Sequence, residues 1–92
     1  MLPVANPVVL FQSLDEGAVL FSPETELYFG LNEVGARIWK LLPPATSSLD
    51  ELVRHLAALY PEMAPDTMRR DAEQLLESLI EADLVRAVPR SP

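Results

Sequence analysis

Glu26-Leu27-Tyr28-Phe29-Gly30-Leu31-Asn32-Glu33-Val34-Gly35-Ala36-Arg37-Ile38-Trp39 decides the fold, because a strand pattern gives way there to a helical one. Its first residues are aromatic and apolar and alternate in the way an extended strand requires: Leu27 and Phe29 point to one face, Glu26 and Tyr28 to the other. Leu27 and Phe29 are expected to face the helices. Asn32 is a good helix N-cap, and Glu33 follows in the first turn, where the helix dipole favours an anion. Val34, Ile38, Leu41 and Leu42 then recur at helical spacing with Trp39 beside them, and Pro43-Pro44 stops the helix.

Upstream of this junction the chain reads as two more short strands, Val8-Val9-Leu10-Phe11 and Ala18-Val19-Leu20-Phe21. The turn signals Asp15-Glu16-Gly17 and Ser22-Pro23-Glu24 separate the three, so the connections suit an antiparallel meander. Downstream, two further helices are expected. Ser48-Leu49-Asp50-Glu51 is a capping box, in which Ser48 accepts from the Glu51 amide and Glu51 reaches back to Ser48. Leu49, Leu52, Val53, Leu56, Leu59 and Tyr60 form the apolar stripe of the second helix, closed by Pro61. Asp66 is the expected cap of the third, whose stripe is Met68, Ala72, Leu75, Leu76, Leu79 and Ile80. Residues 84–88 read as a short extended segment packing back. Strands followed by helices imply an α+β fold, a three-stranded antiparallel meander with three helices on one face. We expect a single domain over residues 1–88 and a disordered tail over 89–92.

With 92 residues, 49% of them hydrophobic and 23% charged, the chain is long enough for one modest core. Seven basic against fourteen acidic residues give a net charge of −7. That balance argues against phosphate-dominated nucleic-acid binding and against docking on anionic lipid. Cysteine is absent, which excludes disulfides, thiolate nucleophiles and cysteine-ligated metals. The N-terminal stretch lacks a basic region and is broken by Pro3 and Pro7, so neither a signal peptide nor a membrane helix is expected, and the expected compartment is the cytoplasm.

Catalytic signatures are weak. The one histidine, His55, lies opposite the second helix's apolar stripe and reads as a solvated surface residue. Ser47 and Ser48 are explained by capping, and no nucleophile elbow surrounds any serine. Three scattered glycines exclude a phosphate loop or dinucleotide fingerprint, and no calcium loop is present. No catalytic residue, metal or cofactor is expected. The third strand is more informative. It ends the meander as an edge without Pro or Lys inside it. Either Glu24 and Glu26 guard that edge and the helices cover it, or an extended peptide can add there as a fourth strand.

The segment from Tyr28 to Trp39 closely resembles the strand-to-helix junction of the PqqD-like family, also called RiPP recognition elements. Its form is Leu-Asn, two residues, a small residue, then an Ile-Trp or similar pair. Ser48-Leu49-Asp50-Glu51-Leu52 looks like that family's second helix start, and Asp71-Ala72-Glu73-Gln74-Leu75-Leu76 with Leu79 looks like its third helix. The resemblance runs over roughly residues 8 to 86. One departure is Asp83, where the family often has Gly at the end of the third helix.

The resemblance implies a winged-helix-like fold that binds the leader segment of a ribosomally made precursor peptide. The leader would add to the third strand and lie against the third helix. Within the family, Tyr-Phe-Gly-Leu-Asn with Ile-Trp looks most like the stand-alone protein of lasso-peptide pathways. Its implied partners are a leader-cleaving cysteine protease and an ATP-dependent macrolactam synthetase. The rival is the pyrroloquinoline-quinone pathway protein, which serves a radical-SAM enzyme. Backbone groups of Glu26, Leu27, Tyr28 and Phe29 are the expected pairing edge, and Leu27, Phe29, Leu76 and Ile80 the apolar lining. Arg69 and Glu73, one turn apart on the third helix, are the expected polar contacts, since 69, 73, 76 and 80 share a helical face. A DNA-binding winged helix and a docking subunit for a folded partner are the alternative readings. A monomer, or a weak homodimer through the free edge, is expected.

Overall fold

The computed structural model describes residues 2–86. Eight elements follow one another: β1 (Val4–Ala5), β2 (Leu10–Leu14), β3 (Gly17–Ser22), β4 (Leu27–Asn32), α1 (Glu33–Lys40), α2 (Leu49–Leu59), α3 (Pro65–Glu81) and β5 (Val85–Arg86). Strands β2, β3 and β4 form the expected antiparallel meander in that order, and β1 pairs with β5 in a separate two-stranded ladder. The expected segment 84–88 is therefore extended at Val85 and Arg86. Its last two residues, and the expected tail 89–92, lie outside the described residues.

The first strand lies later than expected. Asn6 folds the chain into a side-chain turn, its Oδ1 accepting from Val8 N–H at 3.2 Å and its carbonyl from Val9 N–H at 3.0 Å. That turn withholds Val8 and Val9 from the ladder, which runs from Leu10 to Leu14. Only Asp15 and Glu16 then turn the chain, with Gly17 opposite Leu14. A Cβ at Gly17 would lie 2.1 Å from the Leu31 carbonyl oxygen, so that close backbone approach requires glycine.

Strand β4 runs without a loop into α1. Asn32 caps that helix as expected, accepting from Gly35 N–H at 2.7 Å. Ser48 caps α2 by accepting from Glu51 N–H at 3.1 Å. The reciprocal bond is displaced by one residue, since Glu51 Oε1 accepts from Ser47 N–H at 2.7 Å rather than from Ser48. Asp66 does not cap α3. Pro65 occupies the first helical turn, where its fixed φ suits it, so Ala64 is the cap position and Asp66 sits inside the turn facing the helix dipole. At the other end Asp83 adopts φ 59°, the left-handed conformation usual for glycine.

The core gathers Leu20 from β3, Ile38 from α1, Leu52 and Leu56 from α2, and Met68 and Leu79 from α3, all nearly inaccessible. Helix α1 packs on β3 and β4, while α2 and α3 pack on each other and on α1. Trp39 is half-buried against this core, whereas Leu59 is exposed at the end of its helix. Leu2 and Asn6 are also buried. Asn6 N–H donates to Leu84 O and its Nδ2 to Asp83 O, both at 3.0 Å, which ties the N-terminal segment to the end of α3.

Candidate functional site

The open side of β4 is the outer edge of the sheet. Backbone direction along it follows from the β2–β3 turn. A two-residue connection makes Leu14 and Gly17 a hydrogen-bonded pair, so in β3 the residues Ala18, Leu20 and Ser22 turn their polar backbone towards β4. The Ser22 carbonyl accepts from Glu26 N–H at 2.7 Å, in keeping with that direction. Their partners Leu31, Phe29 and Leu27 spend their N–H and C=O groups on the ladder. Tyr28 and Gly30 therefore present theirs to the free edge.

Beside this edge, between β4 and α3, lies a groove of about 530 Å³. Phe29 and Leu31 from β4, Val34, Gly35 and Ile38 from α1, and Met63 from the α2–α3 connection supply its apolar wall. Asp71, Gln74, Leu75 and Ser78, spaced to share one face of α3, form the far wall. Gly35 keeps the floor low: an added Cβ would sit 3.2 Å from Asn32 Oδ1 and 3.3 Å from Leu31 Cδ2. A cleft with an apolar wall on one side and a mostly polar one on the other, beside unpaired strand backbone, is suited to hold an extended chain by main-chain bonds and alternate side chains.

The structure brings only part of the expected set to this groove. Phe29 lines it. Leu27 has the right parity but lies beyond the helices and is 67% exposed; Leu31, which the expectation passed over, is the buried residue of that face. Tyr28 stands on the opposite face with its ring 4.8 Å from that of Phe21. Glu26 is outside the strand, in the turn before it, at φ 60°.

On α3 the expected helical phase is corrected. Arg69, Glu73, Leu76 and Ile80 lie on the flank turned away from β4. Arg69 is paired with Asp50 of α2. That hydrogen bond holds the Asp50 carboxyl below the usual carboxylate range and raises the Arg69 guanidinium. Leu76 is a core residue, and with Ile80 and Glu73 it borders a separate depression near Leu2, Pro3 and Leu49. The pattern leaves two choices. Met68, Ala72 and Leu79 leave both 75 and 76 apolar and near the stripe, and the buried stripe takes 76, which turns 75 to the groove.

His55 is exposed on α2 and does not line the groove. Among the described residues no group of three His, Asp or Glu side chains is placed to hold a metal, and no helix is long and apolar enough to cross a membrane.

Residues 17–85 match the protein family described as Coenzyme PQQ synthesis protein D (PqqD). The fold also matches the solved structure of TbiB1 in complex with the TbiA(beta) leader peptide, with a TM-score of 0.79 and 30% sequence identity, covering 95% of this chain and 99% of that one. No curated protein matches the sequence.

Proposed function

The chain belongs to the PqqD family, and from that membership we propose that it is a non-catalytic recognition domain for the leader segment of a ribosomally made precursor peptide. The observation that carries this reading is the open β4 edge running beside a groove with one apolar wall. Its likeness to a protein solved with a leader peptide supports the same reading.

The leader adds antiparallel or parallel to β4, pairing with the outward backbone of Tyr28 and Gly30. Main-chain bonds give affinity with little regard to sequence. Every second leader side chain enters the groove, over Phe29 and Leu75, and those contacts select the sequence. Leu27 and Glu26 flank the start of the added strand. Arg69, Glu73, Leu76 and Ile80 lie outside the groove, Arg69 tied to α2 and Leu76 packed in the core, and do not touch the leader in this reading.

Tyr28-Phe29-Gly30-Leu31-Asn32 and Ile38-Trp39 favour a lasso-peptide pathway. There the bound leader would be handed, in the cytoplasm, to a leader-cleaving cysteine protease and an ATP-dependent macrolactam synthetase. Titration of the fluorescent leader peptide from the precursor encoded beside the gene tests the reading. Saturable binding at micromolar concentration or tighter is expected, and a folded protein that leaves the peptide free overturns it.

A further inference from the structure

The groove between β4 and α3 holds one ionisable side chain, Asp71. It is exposed on α3 and has no ion pair among the described residues. The nearby cations in sequence turn elsewhere. Arg69 is held by Asp50, and Arg70 is exposed and lines the neighbouring depression, which shares Gln74 with the groove, rather than the groove itself. Arg86 lies 3.8 Å from Glu24, and Lys40 stands over Phe11 at the far edge of the sheet. The turn leading into β4 adds a second carboxylate, Glu26. Among the described residues, the lining of the groove therefore supplies one carboxylate and no cation.

We infer that the groove selects an extended peptide carrying a Lys or Arg over Asp71, next to an inward apolar residue. This rests on the reading of the groove as the leader site. A strand laid over Asp71 removes water from its carboxylate. An apolar cover leaves that charge poorly solvated, and an acidic one repels it. A basic side chain compensates it and adds a charge-assisted hydrogen bond. The spacing fits. Asp71 and Leu75 are one turn apart, about 6 Å along the helix, and successive inward side chains of a strand are about 6.6 Å apart. A basic residue and an apolar one two positions before or after it, according to the strand direction, match that pair.

The test uses the fluorescent leader from the precursor encoded beside the gene, together with versions in which each Lys or Arg is changed singly to Glu. Each is titrated into the full chain and into Asp71→Asn and Asp71→Lys, which alter an exposed residue and leave the core intact. Asp71→Asn is expected to weaken the parent leader about 3-fold and Asp71→Lys about 10-fold. One Glu-substituted leader is expected to lose about 10-fold on the unmodified protein and to recover on Asp71→Lys. Parent binding that is indifferent to Asp71 and to every charge reversal, or a leader that binds without any basic residue, overturns this inference alone. A parent leader that does not bind the folded protein overturns the leader reading and this inference together.

Discussion

Replacing Gly30 by proline separates the edge of β4 from its ladder. Gly30 lies opposite Val19, and an added Cβ there meets nothing within 4 Å. By the alternation fixed at the β2–β3 turn, its N–H faces the free edge. Proline removes that donor without removing a ladder bond, as edge strands tolerate. The fold should thus keep its stability to within about 1 kcal/mol, the residual reflecting strain at φ. Binding should suffer twice. One intermolecular hydrogen bond is lost, about 1 kcal/mol. The pyrrolidine ring also occupies the place of the incoming carbonyl, so the added strand must retreat from its normal spacing of about 4.8 Å and loosen its bond at Tyr28. Two bonds and their packing amount to about 2–3 kcal/mol, or about 30- to 150-fold in affinity. Fluorescence anisotropy with the leader peptide measures the second effect and urea unfolding the first. Amide exchange supplies an independent check: Tyr28 and Gly30 should exchange fast in the free protein and slowly with peptide, while Phe29 and Leu31 stay protected throughout. A folded Gly30→Pro protein that binds within about 2-fold of the original refutes strand addition at β4.

Asn6→Ala removes the bonds that a buried side chain makes to Val8 N–H and Asp83 O, two groups near the surface, so it should destabilise by about 1–2 kcal/mol and lower Tm by about 5–15 °C in calorimetry. Asp83→Gly relieves the left-handed backbone at φ 59° and should raise stability by about 0.5–1 kcal/mol in denaturant titration, leaving leader affinity unchanged. Leu76→Ala excavates the core and should destabilise by about 2–5 kcal/mol; a drop in affinity at full stability would return Leu76 to the binding surface. Ser47 N–H holds the Glu51 carboxyl below its ordinary value. A depressed carboxyl stabilises the fold at neutral pH and loses that contribution as pH falls below about 4, so Glu51→Gln should flatten the acid limb of the stability profile measured by chemical unfolding.

The strand-to-helix junction was legible because each signal there is local. Asn32 caps, Gly35 clears space and the strand period ends within one stretch of chain, so no distant partner has to be known. Ser48 and Glu51 were legible for the same reason, except that the returning bond reaches Ser47 in place of Ser48. What the sequence hid depends on distant partners. The pairing of Val4 and Ala5 with Arg86 and Val85 joins the two ends of the described chain, and no periodicity announces two-residue strands. Asn6 is likewise buried only because Asp83 and Leu84, at the far end of the described chain, come to meet it. The groove was half legible. Alternation placed Phe29 on the inner face, but the phase of α3 turned on whether Leu75 or Leu76 enters the core. Both residues satisfy the helical period, and only the folded packing shows that Leu76 is the buried one.

The sheet has a second free edge at β2, and backbone alone does not distinguish it from β4. Unpaired N–H and C=O groups are equivalent chemically wherever they occur, so the difference must lie beneath the edge. Along β2 the adjoining helix is α1, which sets Glu33, Arg37 and Lys40 beside Phe11 and Ser13. The apolar face of Phe11 is already taken by the Lys40 ammonium at 5.4 Å from its ring centroid. An inward apolar side chain on a strand added there would displace solvated charges and gain little area. Along β4 the same side chain meets Phe29, Leu31, Leu75 and Met63. Full burial of one leucine-sized group is worth about 1.5–3 kcal/mol, comparable with the whole contribution of two backbone bonds. Apolar burial therefore breaks the tie between two otherwise equal edges. The turn of α3 that sends Leu76 to the core and Leu75 to the groove thus fixes which edge of the sheet is able to read a sequence.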